Sequence, residues 1–362
     1  MKRVLCVVSK LNAGGAETFL MKILRTINRD EYTLDFIVSA NGLYDEEVLA
    51  LGGKVYKVPL RTEHPVEVYM EIKRIVKENK YRYFMKLCDT PVGILDVLAA
   101  RAGGAKRITV RSCNAATNSS WIKERIYGLI RPFFNALVDC KIAPSTLAAE
   151  YTFGKKTVKK GNVALLNNGV DLSIFRFDPV GRKQIRDEFN IDDDTVLLGH
   201  IGRFSRQKNH MFLIEVFAQY HRWNKNARLM LVGEGELKNE IEELIKRYHL
   251  EDVVIFTGVR RDIPQILSAM DVFVFPSFHE GMPNTVIEAQ ATGLPVVLAD
   301  TITREADITG LLEYRSLAES ADSWAKAVIS KMRIGRTDHT KAFIDNRYDI
   351  QSVVEQFITL VF

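Results

Sequence analysis

A chain of 362 residues, 47% of them hydrophobic and 26% charged, is long enough for two domains of ordinary size and too apolar for a disordered or fibrous protein. Its four cysteines form no CxxC pair and no cluster with histidine, which favours buried free thiols and a reducing cytoplasm over a disulfide scaffold or a metal site. No stretch approaches the ~20 apolar residues of a membrane span, so we expect a chain that is not integral to a membrane.

Charge is unevenly distributed along the chain. The formal net charge is +5, but residues 1–170 hold 27 Lys and Arg against 16 Asp and Glu, whereas the remainder holds 23 against 29. A basic half beside an acidic half indicates that the basic half faces something anionic: a membrane surface, a phosphorylated lipid or a nucleic acid. Nucleic acid ranks last and is not expected as a partner, because no nucleic-acid-binding motif is present.

The first half alternates short β-branched runs with stretches of helical periodicity. Residues 3–10 (RVLCVVSK) predict a buried strand and not a signal peptide, because the apolar run spans only five residues and no cleavage-type site follows it. The next predicted elements are a helix over 16–30, a strand over 33–40, a helix over 45–53, a strand over 54–60, a helix over 66–80 and a strand over 81–88. This alternation predicts a parallel sheet covered by helices on both faces.

The segment 167–179 (NNGVDLSIFRFDP) breaks the rhythm with turn residues and predicts a connection between domains. After it the pattern restarts with five apolar, β-rich runs, at 195–202, 227–233, 253–258, 272–277 and 295–299. The predicted fold class is therefore α/β, with two Rossmann-like, doubly wound lobes and a cleft between them. We expect an N-terminal domain over 1–168, a C-terminal domain over 169–340, and a helical segment over 341–362 that crosses back to the N-terminal domain.

Ligands of open α/β sheets bind at the carboxyl ends of the strands, so the loops after the predicted strands are the candidate sites. Gly14 and Gly15 precede a helix, where backbone N–H groups can approach an anion, although a tight turn without a ligand is as common. Gly233 and Gly235 follow a later strand and fall short of a dinucleotide fingerprint. Each of these glycine signals is weak by itself.

Two further loops carry charge or an open backbone. Residues 202–210 (GRFSRQKNH) supply Arg203, Arg206 and Lys208, a cluster that could neutralise a diphosphate or be a solvated turn. The loop 256–264 (FTGVRRDIP) could receive a base near Val259 and Arg260.

The stretch 279–297 (HEGMPNTVIEAQATGLPVV) places one carboxylate just before a predicted helix and a second about one turn inside it. The helix would begin at Pro283 or Asn284, and its N-terminus favours phosphate. Glu280 and Glu288 would flank that phosphate, and each carboxylate can accept two hydrogen bonds from a vicinal diol. One diol on each side of a diphosphate describes a nucleotide sugar; a surface helix with two ordinary glutamates is the alternative.

These segments together resemble the retaining glycosyltransferases of the GT-B fold, in the large family 4 that includes bacterial capsule and exopolysaccharide enzymes. The resemblance covers nearly the whole chain and rests on GGAE, GRFSRQKNH, LVGEGEL, FTGVRRD and HEGMPNTVIEAQATGLPVV, in the order of the family. The combination of an E-x7-E element with the Arg and Lys of the earlier loop is its most specific part.

The resemblance implies roles for individual residues. Arg203 and Lys208 would hold the donor diphosphate, and Glu280 would bind hydroxyls of the transferred sugar; these three are the expected catalytic residues. Glu288 would bind the ribose hydroxyls. The other donor-binding residues that it implies are Gly15 from the other lobe, Gly233, Val259, Arg260, Gly281, Met282 and Asn284.

The implied reaction needs no metal and no cofactor beyond the nucleotide sugar, expected to be a UDP-sugar. Negative charge that develops on the leaving phosphate would be stabilised by Arg203, Lys208 and the helix N-terminus. The acceptor would attack on the same face, with the donor phosphate taking its proton. The triple aspartate 192–194 superficially matches a DxD metal motif but lies before a strand, and we interpret it as a solvated turn.

The acceptor side departs from the family. Where related enzymes often carry a histidine, the segment 109–118 (TVRSCNAATN) has Arg111 and Cys113. Either Arg111 takes that role or the acceptor is held differently. His64 is a second candidate, and the alternative for this residue is a mostly structural role.

The expected product is a hexosyl or N-acetylhexosaminyl group added, with retention, to a growing glycan of a cell-surface polysaccharide. We expect the acceptor to be linked to a polyprenyl diphosphate at the inner membrane face, where 118–138 could lie on anionic lipid; a core helix with a charged outer face is at least as good an interpretation of that stretch. The alternatives are a transferase with a small soluble acceptor and a nucleotide-sugar-binding protein without turnover.

Overall fold

A computed structural model describes residues 1–12, 14–88, 90–113 and 121–362 of the chain, with side chains omitted for 121–124. Contacts between residues divide the chain into two compact units. The N-terminal unit consists of Met1–Gly169 together with Arg347–Phe362, and the C-terminal unit of Val170–Asn346.

The N-terminal unit alternates strands and helices. Its elements up to residue 169 are β1 (Lys2–Val7), α1 (Gly15–Thr26), β2 (Tyr32–Val38), α2 (Asp45–Ala50), β3 (Val55–Lys57), α3 (Pro65–Glu78), β4 (Tyr83–Cys88), α4 (Ile94–Gly103), β5 (Arg107–Ser112), α5 (Trp121–Leu137), β6 (Cys140–Ala143), α6 (Thr146–Phe153), α7 (Lys155–Lys159) and β7 (Ala164–Leu165). The seven strands form one sheet in the order β3-β2-β1-β4-β5-β6-β7, and the pairs are parallel.

The C-terminal unit repeats this arrangement. Its elements are α8 (Pro179–Glu188), β8 (Val196–Ile201), α9 (His210–Trp223), β9 (Ala227–Val232), α10 (Lys238–Tyr248), β10 (Val254–Gly258), α11 (Ile263–Ala269), β11 (Val272–Phe275), α12 (Asn284–Ala291), β12 (Val296–Ala299), β13 (Leu312–Arg315), α13 (Ala321–Met332) and α14 (Thr340–Asp345). Six parallel strands form its sheet, in the order β10-β9-β8-β11-β12-β13. The predicted α/β class with two Rossmann-like sheets is therefore confirmed.

Helices cover both faces of the N-terminal sheet, and the side chains of β1 alternate between the two buried faces. Val4 and Cys6 belong to the core cluster that α1 covers, whereas Leu5 and Val7 belong to the cluster that α3 and α4 cover. Successive side chains of a strand point to opposite faces, so a strand buried on both faces is apolar at every position. No helix among the described residues is long and apolar enough to cross a membrane.

The last helix, α15 (Ile350–Val361), packs within the N-terminal unit. Val353 and Phe357 are fully buried in the core cluster beneath α1, and the ring of Phe357 lies 6.2 Å from that of Phe19. Gly169 has a positive φ of +68°, and a Cβ there would come within 2.8 Å of Ile350. Glycine at 169 therefore lets the chain turn tightly against α15.

We expect Phe357→Ala to lower the free energy of unfolding by about 3–5 kcal/mol, because it removes a buried aromatic ring from a closed core. Gln351→Ala, at an exposed position of the same helix, is the matched control and is expected to have little effect. Urea unfolding followed by circular dichroism measures both variants. Equal midpoints for the two variants would contradict the assignment of α15 to this core.

Candidate active site

The predicted donor residues of the C-terminal unit lie at one edge of its sheet. They follow β8, β9, β10 and β11, which are neighbours in a parallel sheet and therefore end on the same side. Helix α12 begins at this edge with Pro283 as its N-cap. Asn284 is thus the first residue of the helix and not its cap, one position later in the helix than its residue type favours.

Lys208 and Glu280 form a close ion pair at this edge. Lys208 Nζ lies 2.7 Å from Glu280 Oε1, and the two side chains are only 18% and 12% exposed. The loops that carry them are also joined, since the N–H of Phe278 donates to the carbonyl of Gln207 at 2.9 Å. In return, the side-chain amide of Gln207 donates to the carbonyl of His279 at 2.8 Å.

Arg203 has a different environment. Its guanidinium is 75% exposed and lies 3.2 Å from the carboxylate of Glu236, itself 54% exposed. An exposed pair of this kind is worth about 0–1 kcal/mol and opens readily. Glu236 was not predicted as a partner of Arg203, although it lies in the LVGEGEL segment whose glycines were singled out.

Gly233 is required by the backbone of the loop itself. Its φ is +135°, and a Cβ there would lie 2.3 Å from the carbonyl oxygen of Gly202. Its N–H donates to the carbonyl of Gly258 at 2.9 Å. Gly233 thus holds the loops after β8, β9 and β10 together, whether or not a donor touches it.

The remaining donor candidates of the E-x7-E stretch lie in and before α12. Glu288 is in the second turn of the helix and is 8% exposed, and Met282 is 7% exposed. Gly281 is also buried. The N–H groups of Val286 and Ile287 both donate to the carbonyl of Pro283 at 3.1 Å, which tightens the first turn of the helix.

The loop after β10 divides into an exposed residue and an anchored one. Val259 is largely exposed. The guanidinium of Arg260 donates to Glu188 at 2.8 Å and to Asp262 at 2.9 and 2.7 Å. These hydrogen bonds raise the pKa of Arg260 and commit its side chain to the protein, so its backbone is the part left for a base.

Two buried histidines lie under Lys208, and sequence reasoning did not single them out. The His200 ring is stacked on Phe275 at 5.5 Å and meets the His210 ring edge-on at 4.7 Å. Lys208 Nζ lies 4.7 Å from the centroid of the same Phe275 ring. Burial, and then the Lys208 charge, lower the pKa of His210 to about 4; burial and the neighbouring His210 lower that of His200 as well. Lys208 therefore packs against neutral aromatic rings.

These histidines should make stability depend on pH. The unfolded chain takes up a proton at His210 near pH 6.5, whereas the folded chain takes it up only near pH 4. Stability is unaffected above pH 6.5 and falls as the pH drops towards 4, by about 2 kcal/mol between pH 7.5 and 5 for His210. His210→Gln, which cannot titrate, should reduce that loss in urea unfolding, and an unchanged pH slope would contradict this account.

The candidates of the N-terminal unit lie in several places. Gly15 begins α1, at the carboxyl end of β1. His64 precedes α3, and its half-exposed ring lies 3.7 Å from the carboxylate of Glu67. Residues 114–118 of the predicted acceptor stretch 109–118 lie outside the described residues.

Arg111 is almost fully buried, at 1% exposure. It donates to the side-chain oxygen of Asn168, and its guanidinium lies 3.8 Å from the centroid of the Phe19 ring. Burial lowers its pKa to about 10. Arg111 therefore holds core elements of the unit together.

Comparison with known proteins agrees with this fold. Residues 195–333 match the family described as "Glycosyl transferases group 1". The chain is 34% identical over 346 residues to the putative glycosyltransferase EpsF of Bacillus subtilis, covering 92% of this chain and 89% of that protein. Over 239 residues it is 28% identical to the UDP-Gal:alpha-D-GlcNAc-diphosphoundecaprenol alpha-1,3-galactosyltransferase of Escherichia coli, covering 64% of this chain and 61% of that one.

The fold has solved counterparts. Anabaena HepE, in a crystal structure with UDP and glucose, matches with a TM-score of 0.78 at 18% identity, over 99% of both chains. Two Rossmann-like α/β units in this order define the GT-B class of glycosyltransferase folds. The chain belongs to the group 1 glycosyl transferases.

Proposed function

We propose that this protein is a retaining family 4 glycosyltransferase that moves a hexosyl or N-acetylhexosaminyl group from a UDP-sugar to a lipid-linked glycan during synthesis of a cell-surface polysaccharide. The observation that carries the proposal is the meeting of Lys208 and Glu280, at 2.7 Å, at the sheet edge where α12 begins. A cation for phosphate and a carboxylate for hydroxyls are thereby held side by side.

Donor binding follows from these positions. The diphosphate would lie near Lys208, Arg203 and the N-terminus of α12, where cationic groups and the positive end of the helix dipole favour phosphate. Glu280 precedes the helix and would accept hydrogen bonds from the sugar, while Glu288 in the second turn would accept them from the ribose. The base would lie against the backbone at Val259 and Arg260.

The proposed chemistry is a front-face substitution. The bond between the anomeric carbon and the diphosphate oxygen breaks, and its electron pair stays on the phosphate. The acceptor oxygen bonds to the anomeric carbon from the same face, and its proton passes to the departing phosphate oxygen. Lys208 and Arg203 stabilise the charge that develops there, so their contribution is electrostatic.

The choice of UDP and of a lipid-linked acceptor is supported by relatives. HepE was crystallised with UDP, and the name of the Escherichia coli relative specifies UDP-galactose as donor and a diphosphoundecaprenol-linked sugar as acceptor. The family alone leaves donor and acceptor open, so the assay must vary both.

We expect one member of a panel of UDP-sugars to release UDP only when a polyprenyl-diphosphate-linked glycan is present. NMR of the product should show that the anomeric configuration is retained. Glu288→Ala should raise the KM for the donor about 10–100-fold, because it removes the hydrogen bonds that the ribose hydroxyls would donate to the Glu288 carboxylate. Lys208→Ala should chiefly lower kcat, by about 10²–10³-fold, because it removes a cation from the transition state.

The same assay distinguishes other outcomes. Turnover with a free sugar instead of the lipid-linked glycan would indicate a small soluble acceptor. Donor binding without turnover would indicate a binding protein. Unchanged donor kinetics in both variants would refute the site assignment.

The exposed face of α5 supports contact with a membrane. Leu129 and Phe133 are 75% and 71% exposed and lie four residues apart on one helical face, with exposed Ile126 one turn earlier and Arg125 beside it. Phe134 on the other side is buried. Apolar side chains beside a cation suit an anionic lipid surface.

We expect the double variant Leu129→Ser/Phe133→Ser to lose most of its co-sedimentation with vesicles that contain anionic lipid, because its apolar anchors are removed. Ile334→Ser, at an exposed apolar position of the C-terminal unit, is the control and should sediment as the wild type does. Wild-type sedimentation that is independent of anionic lipid would contradict a peripheral membrane location.

A further inference from the structure

Lys208 and Glu280 bind each other in this structure, and the proposed nucleotide-sugar donor would need both side chains. Nζ and Oε1 are 2.7 Å apart, and both side chains are largely shielded from water. The faces around Lys208 are the Phe275 ring and two histidines whose pKa values are lowered, so they are neutral near pH 7. In such surroundings a charge interaction is stronger than at the surface.

A diphosphate that binds here must share or take the ammonium group of Lys208 from Glu280. The Glu280 carboxylate would then lose the hydrogen bond and the opposite charge that it has in the free protein, and a shielded carboxylate without them is destabilised. Hydrogen-bond donors that replace the lost Lys208 contact offset this penalty. Sugar hydroxyls attached to the diphosphate are such donors, whereas a nucleoside diphosphate without a sugar brings none to Glu280.

We propose that Glu280 weakens binding of the sugar-free nucleoside diphosphate by competing with it for Lys208. This rests on the proposed function, and it gives the carboxylate a role beyond recognition of the sugar. Before transfer, sugar hydroxyls occupy Glu280 and leave Lys208 to the diphosphate. After transfer the sugar departs with the acceptor, Glu280 recaptures Lys208, and release of the product diphosphate is favoured.

Isothermal titration of UDP and of inorganic pyrophosphate tests this without any turnover. Glu280→Gln should bind UDP about tenfold more tightly than the wild type, a change of ~1.4 kcal/mol, and should also bind pyrophosphate more tightly. Glu280→Ala should shift both affinities in the same direction, and circular dichroism confirms that each variant is folded. UDP-sugar binding should gain less than UDP binding in both variants.

Two comparisons make the test specific. In a Lys208→Ala background, Glu280→Gln should change UDP affinity by less than about twofold, because no ammonium group remains to be released. Glu236→Gln is the matched control: it removes the carboxylate that faces Arg203 in an exposed pair, where screening makes the interaction weak, and it should change UDP affinity much less than Glu280→Gln does.

The outcomes separate this inference from the proposed function. If the wild type binds UDP but Glu280→Gln and Glu280→Ala bind it equally or more weakly, the competition is wrong and the donor site stands. Equal tightening with and without Lys208 would show general repulsion and would also overturn the exchange. A wild type that binds neither UDP nor any UDP-sugar would overturn both.

Discussion

The C-terminal unit depends on how closely the backbones after β8 and β9 approach each other. A Cβ at Gly233 or at Gly235 would lie 2.3 Å from the carbonyl oxygen of Gly202 or of Phe204, respectively. Because both positions are glycine, the N–H of Phe204 can donate to the carbonyl of Glu234 at 2.9 Å. The turn that carries Lys208 starts from this contact, so the position of the lysine follows from a backbone fit on a neighbouring strand.

Electrostatics at this edge is graded by exposure. Lys208 is held by a shielded carboxylate above neutral rings, whereas Arg203 faces solvent with a loosely held partner. The two cations that the resemblance groups together are therefore unlike. Arg203 can move to a phosphate at small cost, and Lys208 can do so only by giving up a strong contact.

Much of the fold could be predicted from the sequence, because strand and helix periodicities differ and glycines mark the turns. The grouping of the candidate donor residues at one edge was predictable for a related reason: residues that follow neighbouring parallel strands lie close together. The pairing of charged side chains at this edge could not be predicted. Nothing in the local pattern joins Lys208 to Glu280, 72 positions apart, and only the folded strands bring them to hydrogen-bonding distance. The histidine at 200 lies in an apolar strand, TVLLGHIG, and its flanks were the one signal that it is buried.

The surroundings of Arg111 were also not predictable from the sequence. A charged residue near the end of a strand suggests a solvent-facing group, yet α1 covers this one and its guanidinium is stacked on Phe19. Side-chain alternation predicts that position 111 points to one face of the sheet, but the sequence does not reveal which residue of α1 will lie over it.

The placement of α15 has a consequence for the order in which the protein can be made. Residues 347–362 supply part of the core of the N-terminal unit, so that core stays incomplete until they have been synthesised. The C-terminal unit contains all of its own strands within 170–346 and can close earlier. Domains tend to fold as units during synthesis, the N-terminal one first. Here the unit that begins first is the one that finishes last, and until then the apolar surface that α15 covers is exposed to other chains.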